Sequence, residues 1–354
     1  MERCNSCIMP KTHHSVRFDG DTCSLCAAHT GKVMVRSPSN DVDCHIERIR
    51  KAGEGLAFDC LVGISGGRDS TYLLHQLVRR HGLRCLAAYH RTPFTPDIID
   101  ANVRRLVERL NVPLVEMDIP MDYHRRIARA VVLLWLKKPL PVIANLACAP
   151  CKSHNREILK IAKKHGIKYL VMGSNKYELF QLNSGYHDAL ADRISFAAKL
   201  KQLLMLMKKG GLVLTQSVGI WRFLWVGIRS VLYISPESPF LRCCYGDINT
   251  FNYFFHTEWS EAECEKSLSE RGWEIPPNCN SSWRADCVFA EVKNYMFGKM
   301  NGISYVDALF SNLIRAGILS RDEALKRVDT EGKFSRDRFA EACRIMNLHT
   351  DIFN

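Results

Sequence analysis

The stretch Asp59-Cys60-Leu61-Val62-Gly63-Ile64-Ser65-Gly66-Gly67-Arg68-Asp69-Ser70 constrains this chain more than any other. Leu61, Val62 and Ile64 form a short apolar run of the kind found in a buried parallel strand. Ser65-Gly66-Gly67 permits a sharp turn, because glycine reaches φ > 0 without a Cβ clash. Asp69-Ser70-Thr71 then opens a helix that runs on through Tyr72 to Val78. N–H groups at such a helix start lack intrahelical acceptors, and the helix dipole reinforces them, so the place attracts an anion. On the glycines alone, an ordinary strand-to-helix turn capped by Asp69 or Ser70 stays open.

The pattern then repeats as strand and helix. Strands are expected at Arg84–His90, Val112–Ile119 and Lys168–Asn175, and helices at Pro96–Leu110, 122–137 and Lys152–His165. Pro139 and Pro141 stop the second of these helices. Such alternation implies an α/β fold, a doubly wound parallel sheet. Ligands of such sheets sit beyond the carboxyl ends of the strands. Ser65, His90 and Ser174-Asn175 fall at such ends. His90 and Asn175 are therefore nucleotide-binding candidates, or else loop residues that touch no ligand.

The full Ser-Gly-Gly-x-Asp-Ser string after a strand resembles the PP-loop of the N-type ATP pyrophosphatases, whose fold is adenine nucleotide alpha hydrolase-like. It does not end in Gly-Lys-Ser/Thr, so it is not a Walker A loop. The resemblance implies that ATP is cut between its α and β phosphates, giving an adenylylated substrate and pyrophosphate. It implies that Ser65, Gly66, Gly67 and Ser70 hold the phosphates and that Asp69 holds Mg²⁺ or orients the loop. Arg68 would place a cation beside the departing pyrophosphate.

The chain has fifteen cysteines and, at its start, no apolar signal segment. A cytoplasmic location is expected, where thiols stay reduced and clustered cysteines point to metal. Cys4-x-x-Cys7 and Cys23-x-x-Cys26 are separated by fifteen residues. Four thiolates so spaced suit a closed tetrahedral zinc site. Unligated cysteines or a redox pair are the alternatives. His13 and His14 are substitute ligands or solvated loop residues.

The series Arg3-Cys4-x-x-Cys7-x-Met9-Pro10-x-Thr12, Val16-x-Phe18-Asp19 and Cys23-x-x-Cys26 resembles the opening of the N-acetyl sugar amidotransferases. These bacterial proteins modify surface sugars such as O-antigen residues, and they follow the knuckle with a PP-loop domain. The match in order and spacing runs through residue 70. The resemblance implies a sugar or nucleotide-sugar substrate whose N-acetyl carbonyl is adenylylated. Ammonia would then come from a separate glutaminase subunit, since no glutaminase motif is recognisable in this chain.

Cys148-Ala149-Pro150-Cys151 departs from that family's pattern. It precedes a helix, where a thiolate is stabilised. It is either a proline turn with incidental cysteines or a second metal site. Some PP-loop sulfurtransferases that thiolate tRNA carry such a pair, which with a later cysteine holds a [4Fe-4S] cluster. Cys287 is the expected third ligand, with Cys243, Cys244 and Cys279 as competitors. Under that alternative the acceptor is a nucleic acid or a small molecule and the nucleophile is sulfur.

Residues 196–207 read as a basic amphipathic helix and 211–234 as a strongly apolar stretch. Arg222 and Arg229 inside the latter argue against a membrane span. It is a buried part of the core, or a segment for a partner or for peripheral membrane contact. The chain then divides into a zinc knuckle (1–30), a linker and helix (31–55), the PP-loop domain (56–255) and a helical C-terminal region (256–354). Ser320-Arg321-Asp322-Glu323 reads as a capping box in the last of these. The net charge of +12 suits an acidic ligand but does not choose among ATP, a nucleotide-sugar, RNA and anionic lipid. A binding module with a degenerate ATP site is the non-enzymatic alternative.

Overall fold

The computed structural model describes residues 1–14, 16–29, 41–175, 177 and 220–353. The expected linker around Ser37-Pro38-Ser39-Asn40, the helix at 196–207 and the first part of the apolar stretch lie outside the described residues. The chain opens with a small hairpin, β1 (Phe18–Asp19) and β2 (Thr22–Cys23), followed by the short α1 (Ser24–Ala27). Next come α2 (Asp41–Ala52), β3 (Cys60–Ile64), α3 (Arg68–His75), β4 (Cys85–Tyr89), α4 (Asp97–Leu110) and β5 (Leu114–Glu116). Helices α5 (Met121–Lys137), α6 (Pro141–Leu146), α7 (Ala149–Lys152) and α8 (His154–Lys164) lead into β6 (Tyr169–Met172).

Strands β3, β4, β5 and β6 join β7 (Asn249–Asn252) in one parallel sheet of order β5-β4-β3-β6-β7. The strand that carries the glycine turn is thus central. It has β4 on one side and the later β6 on the other, which is the crossover position where open α/β sheets bind ligands.

Alternation along the strands divides the core. Cys60, Val62 and Ile64 of β3, with Cys85, Ala87 and Tyr89 of β4, pack under α3 and α4 through Leu73, Leu74, Ile99 and Val103. Leu61, Leu86, Ala88 and Leu170 face the other way, onto Ile158, Leu159 and Ala162 of α8. Helices therefore cover both faces, as expected of a doubly wound sheet.

Two details differ from expectation. The third strand is limited to Leu114–Glu116, and β7 is an additional edge strand that pairs with β6 through Phe251 and its neighbours. In Asn249-Thr250-Phe251-Asn252 only Phe251 is buried, so no apolar run announces it.

The chain continues through α9 (Ile220–Leu232) and α10 (Pro239–Tyr245). Among the described residues no helix is long and apolar enough to cross a membrane. Helix α9 buries Val226 and leaves Trp225 59% exposed. The C-terminal helices are α11 (Glu261–Ser269), α12 (Phe289–Asn301), α13 (Tyr305–Arg315), α14 (Arg321–Glu331) and α15 (Arg336–Ile345). Leu309, Phe310 and Leu313 of α13 and Cys264 and Leu268 of α11 join the same core cluster as α3 and α4. Ser260 caps α11 by accepting the Glu263 N–H. The reciprocal box occurs at Ser304 and Asp307, on α13. Ser320 caps α14 through the Glu323 N–H without a matching return bond from the Glu323 side chain.

Candidate functional site

The turn after β3 has the shape of a phosphate cradle. Gly66 sits at φ 85°, and a Cβ there would stand 2.5 Å from Ile99 Cγ2 and 2.9 Å from Val103 Cγ2. Only glycine meets both conditions. Gly67 caps α3 without a side-chain bond, leaving the first-turn N–H groups to an external acceptor. The two serines close the turn on itself. Ser65 N–H donates to Ser70 Oγ at 3.2 Å, Gly67 N–H donates to Ser65 Oγ at 3.3 Å, and the hydroxyls stand 3.3 Å apart. The Trp273 indole N–H donates to the Gly66 carbonyl at 3.1 Å. Ser65, Gly66, Gly67 and Ser70 are thus assembled as one element.

Asp69 faces inward from this element. Its Oδ2 accepts from Asn175 Nδ2 at 3.0 Å, and its Oδ1 accepts from Arg68 Nε at 3.0 Å and Trp259 Nε1 at 3.3 Å. Asn175, which is buried, in turn accepts the Tyr177 N–H at 2.9 Å. Asn175 therefore reaches the loop through Asp69, as a residue that orients it.

Arg68 is placed differently from the expectation of a cation beside pyrophosphate. It is 3% exposed and stacks on Trp283 at 4.1 Å and Trp259 at 5.1 Å. Its Nη1 donates to Glu261 at 2.9 Å and to Ser282 Oγ at 2.6 Å. Glu261 is shared with Arg327, also at 2.9 Å. Burial works against the Glu261 carboxylate, but Arg327 and Arg68 outweigh it and hold its pKa below the usual range. A buried cation between two indoles is stable only with such anionic partners. The positive charge is thus directed into the protein, joining the loop to α11 and α14.

His90 follows β4 and is anchored by its N–H to the Ile64 carbonyl at 3.0 Å. Its ring stacks on His154 at 5.5 Å and tilts against His124 at 5.6 Å. Burial, then His154 and His124, push its pKa far down, so it is a neutral imidazole. Burial also pushes His124 down to about 4. The cysteine pair adjoins these rings. Cys151 Sγ lies 3.8 Å from His124 Nδ1, and His154 Nδ1 lies 2.6 Å from the Cys151 carbonyl oxygen.

Cys148 and Cys151 are in hydrogen-bond contact, which with Lys293 and Arg284 nearby lowers the Cys148 thiol. Cys287 is close enough to interact with both thiols, and its own pKa is pushed up to about 12, by burial first and by Asp286 second. Of the competing third cysteines, Cys243 and Cys244 are exposed on α10, and the Cys279 thiol donates to the Ser281 carbonyl at 3.0 Å. The fold therefore gathers Cys148, Cys151 and Cys287. Sequence reading missed His124 and Lys293, which reach the cluster from distant helices. His154 carried a signal, three residues after Cys151.

The N-terminal pairs form a tighter group. The ligand atoms of Cys4, Cys7, Cys23 and Cys26 all lie within 4.8 Å of one another, the one such group among the described residues. A tetrahedral ion with metal–sulfur bonds of about 2.3 Å sets its sulfurs about 3.8 Å apart. The Cys7 and Cys23 sulfurs stand 3.8 Å apart. Met9 N–H points at Cys7 Sγ (3.4 Å) and Cys23 N–H at Cys4 Sγ (3.3 Å), which favours thiolates over thiols. Arg315 Nη1 lies 3.5 Å from Cys7 Sγ. The donor set and spacing fit a zinc ion. His14 is not part of the group; its Nδ1 pairs with the Met300 carbonyl at 2.9 Å.

No protein-family model and no curated protein matches the chain. Among solved structures, the NMN synthetase from Francisella tularensis is similar at 12% identity and a TM-score of 0.38, covering 85% of this chain and 95% of that one. The U34-tRNA thiolase NcsA from Methanococcus maripaludis, solved with its [4Fe-4S] cluster, is similar at 12% identity and a TM-score of 0.31, covering 98% of this chain and 96% of that one.

Proposed function

We propose that the chain is an ATP-dependent, AMP- and pyrophosphate-forming enzyme that activates a carbonyl oxygen. The observation that carries this reading is the turn itself, with Gly66 locked at φ 85° and two serines closing it at the start of α3. Such a turn presents the first N–H groups of the helix to an anion. The acceptor proposed is the N-acetyl group of a bacterial surface-sugar precursor, in keeping with the order of knuckle and loop. The acetamido oxygen attacks the α-phosphorus of ATP and expels pyrophosphate. Ammonia from a separate glutaminase then adds to the activated carbon. AMP departs with the original oxygen, and proton loss leaves an acetamidino group. The amide oxygen is a poor leaving group until it is phosphorylated, and for that reason the sequence starts at the loop. The test is turnover by the purified chain with ATP, an acetamido sugar and ammonium chloride. AMP and pyrophosphate should form with ammonium and not with glutamine. Glutamine-dependent turnover by the chain alone, or none with ammonium across nucleotide-linked and free acetamido sugars, would reject the amidation.

A second reading is favoured by one observation: Cys148, Cys151 and Cys287 are close enough to interact, all partly buried, and Cys287 follows Asp286, whose Oδ2 lies 3.2 Å from where a Cβ on Gly67 would stand. Under it the same activation serves a sulfur nucleophile and an RNA or small-molecule acceptor. Three thiols are the donor set of a [4Fe-4S] cluster with one open iron. Cys148 and Cys151 are in hydrogen-bond contact, which a cluster held by both would replace. Brown, iron-containing protein from anaerobic purification supports this reading, and iron-free protein removes it.

A further inference from the structure

The phosphate turn needs a divalent cation if it holds ATP, and the carboxylate expected to bind it is already engaged. Asp69 accepts hydrogen bonds from Asn175, Arg68 and Trp259, so an ion at Asp69 would compete with three donors. Another carboxylate meets the turn from outside. Asp286 Oδ2 lies 3.2 Å, and its Cγ 3.3 Å, from the position a Cβ on Gly67 would take. Asp286 is half-buried, and among the described residues no hydrogen bond or ion pair holds its carboxylate.

Its position is built by the backbone around it. Arg338, itself 3% exposed, donates from Nη2 to the carbonyls of Arg284 at 3.3 Å, Ala285 at 3.4 Å and Cys287 at 3.1 Å. These carbonyls flank Asp286 on both sides. Arg284 is held at φ 56°, a left-handed conformation that costs energy for a residue with a Cβ. Upstream, the Ser282 hydroxyl accepts from Arg68 and the Trp283 ring stacks on the same guanidinium. Downstream, the Val288 N–H donates to the Phe94 carbonyl at 2.9 Å. The strap from Ser282 to Val288 is thus fixed at both ends and strained at its turn, with an unengaged carboxylate aimed at Gly67.

A carboxylate at the edge of an anion cradle repels the phosphate the cradle attracts unless a cation stands between them. Magnesium is held in this way, by one or two carboxylates together with phosphate oxygens and waters rather than by a protein cage. We propose that Asp286 is the protein's carboxylate ligand for the Mg²⁺ that accompanies the nucleotide at Ser65–Ser70. This rests on the turn being the ATP site.

The experiment measures ATP affinity of the full chain and of Asp286→Asn by calorimetry, in EDTA and in excess Mg²⁺. Wild type should bind ATP more tightly with Mg²⁺. Asp286→Asn should bind metal-free ATP roughly tenfold more tightly than wild type, because a charge repulsion is gone, and should lose most of the gain from Mg²⁺. Tightened binding cannot come from a misfolded variant, so folding does not obscure the result. A variant with tighter binding in both conditions would make Asp286 an anion mimic that blocks the cradle and would overturn the proposal. A variant with unchanged affinities, or with weaker metal-free binding, would also overturn it. Failure of wild type to bind ATP in either condition would reject the ATP site itself, and the magnesium role with it.

Discussion

Arg68→Met separates a cation that faces pyrophosphate from one that holds the loop in place. The Arg68 side chain is 2% exposed, and its partners Glu261 and Asp69 are 12% and 13% exposed. Removing one partner of a buried ion pair costs about 3–5 kcal/mol. Glu261 keeps Arg327 at 2.9 Å, so the lower end applies. Loss of the stacked cation on two indoles adds about 1–2 kcal/mol, and the methionine packing between those rings recovers a similar amount. The net expectation is a loss of about 3 kcal/mol. It is measured by urea unfolding, with tryptophan fluorescence as the signal. Glu261→Gln made in the same background should show strong coupling to Arg68→Met, since the two share one contact.

The pH profile adds a signature. The pKa of Glu261 is lowered in the folded state. Its stabilisation is therefore complete above the ordinary carboxylate range and is lost as pH falls through its depressed folded value. With one of its two guanidiniums gone, that folded value rises, so the acid-side loss of stability starts at higher pH. Pyrophosphate release, assayed where the variant is folded, should fall by less than about tenfold. A guanidinium acting directly on the leaving group would cost about 10²–10³-fold. Unchanged stability together with a loss of that size would refute the placement of Arg68 as an internal support.

Gly66→Ala combines the left-handed backbone with a Cβ 2.5 Å from Ile99 Cγ2, so a loss of about 3 kcal/mol and of ATP binding is expected, read by thermal melting and calorimetry. Asn175→Ala removes the donor to Asp69 Oδ2 and should cost about 1–2 kcal/mol. It should also lower kcat more than it raises KM for ATP, because it acts on orientation and not on nucleotide contact. Arg321→Ala removes a guanidinium bonded to the carbonyls of Cys4 and Cys7 at 3.0–3.3 Å. In zinc-loaded protein it should speed release of the ion to a chelating dye several-fold, whereas Lys326→Ala on the same helix should not.

The strand, glycine turn and helix at residues 60–75 were legible because every local signal agrees there: an apolar run, a backbone that only glycine takes, and a helix start. The knuckle was legible from spacing alone, since two tight Cys-x-x-Cys turns leave few ways to arrange four thiols. The direction of Arg68 was not legible. Its partners Glu261 and Ser282 are 193 and 214 residues away, and a basic side chain in a glycine turn gives no local sign of being buried. His90 stood at the right strand end, but its neighbours His124 and His154 come from other helices, so its burial among imidazoles is a tertiary fact. Asp286 carried no signal in the sequence, because its approach to Gly67 depends on the strap that Arg338 pins.

The C-terminal helices tie the glycine turn after β3 to the cysteine knuckle. The segment from Ile314 to Ala324 spans the end of α13 and the start of α14. In the fold it supports both ends of the molecule. Arg315 reaches the Cys7 sulfur, and Arg321, at the start of α14, holds the carbonyls of Cys4 and Cys7. Arg327, on the same helix, pairs with Glu261, and Glu261 pairs with Arg68 at the first residue of α3. Arg3 closes the other side on Asp307 at 2.6 Å, the residue that completes the α13 capping box. One helix thus takes its position from the knuckle and passes it to the turn. A zinc ion there would act at a distance from the chemistry, by fixing the helix against which Arg68, Asp69 and so the anion cradle are set. On that view removal of zinc raises KM for ATP through a loosened turn, while the chemical step, which needs only the cradle and the nucleophile, is affected less.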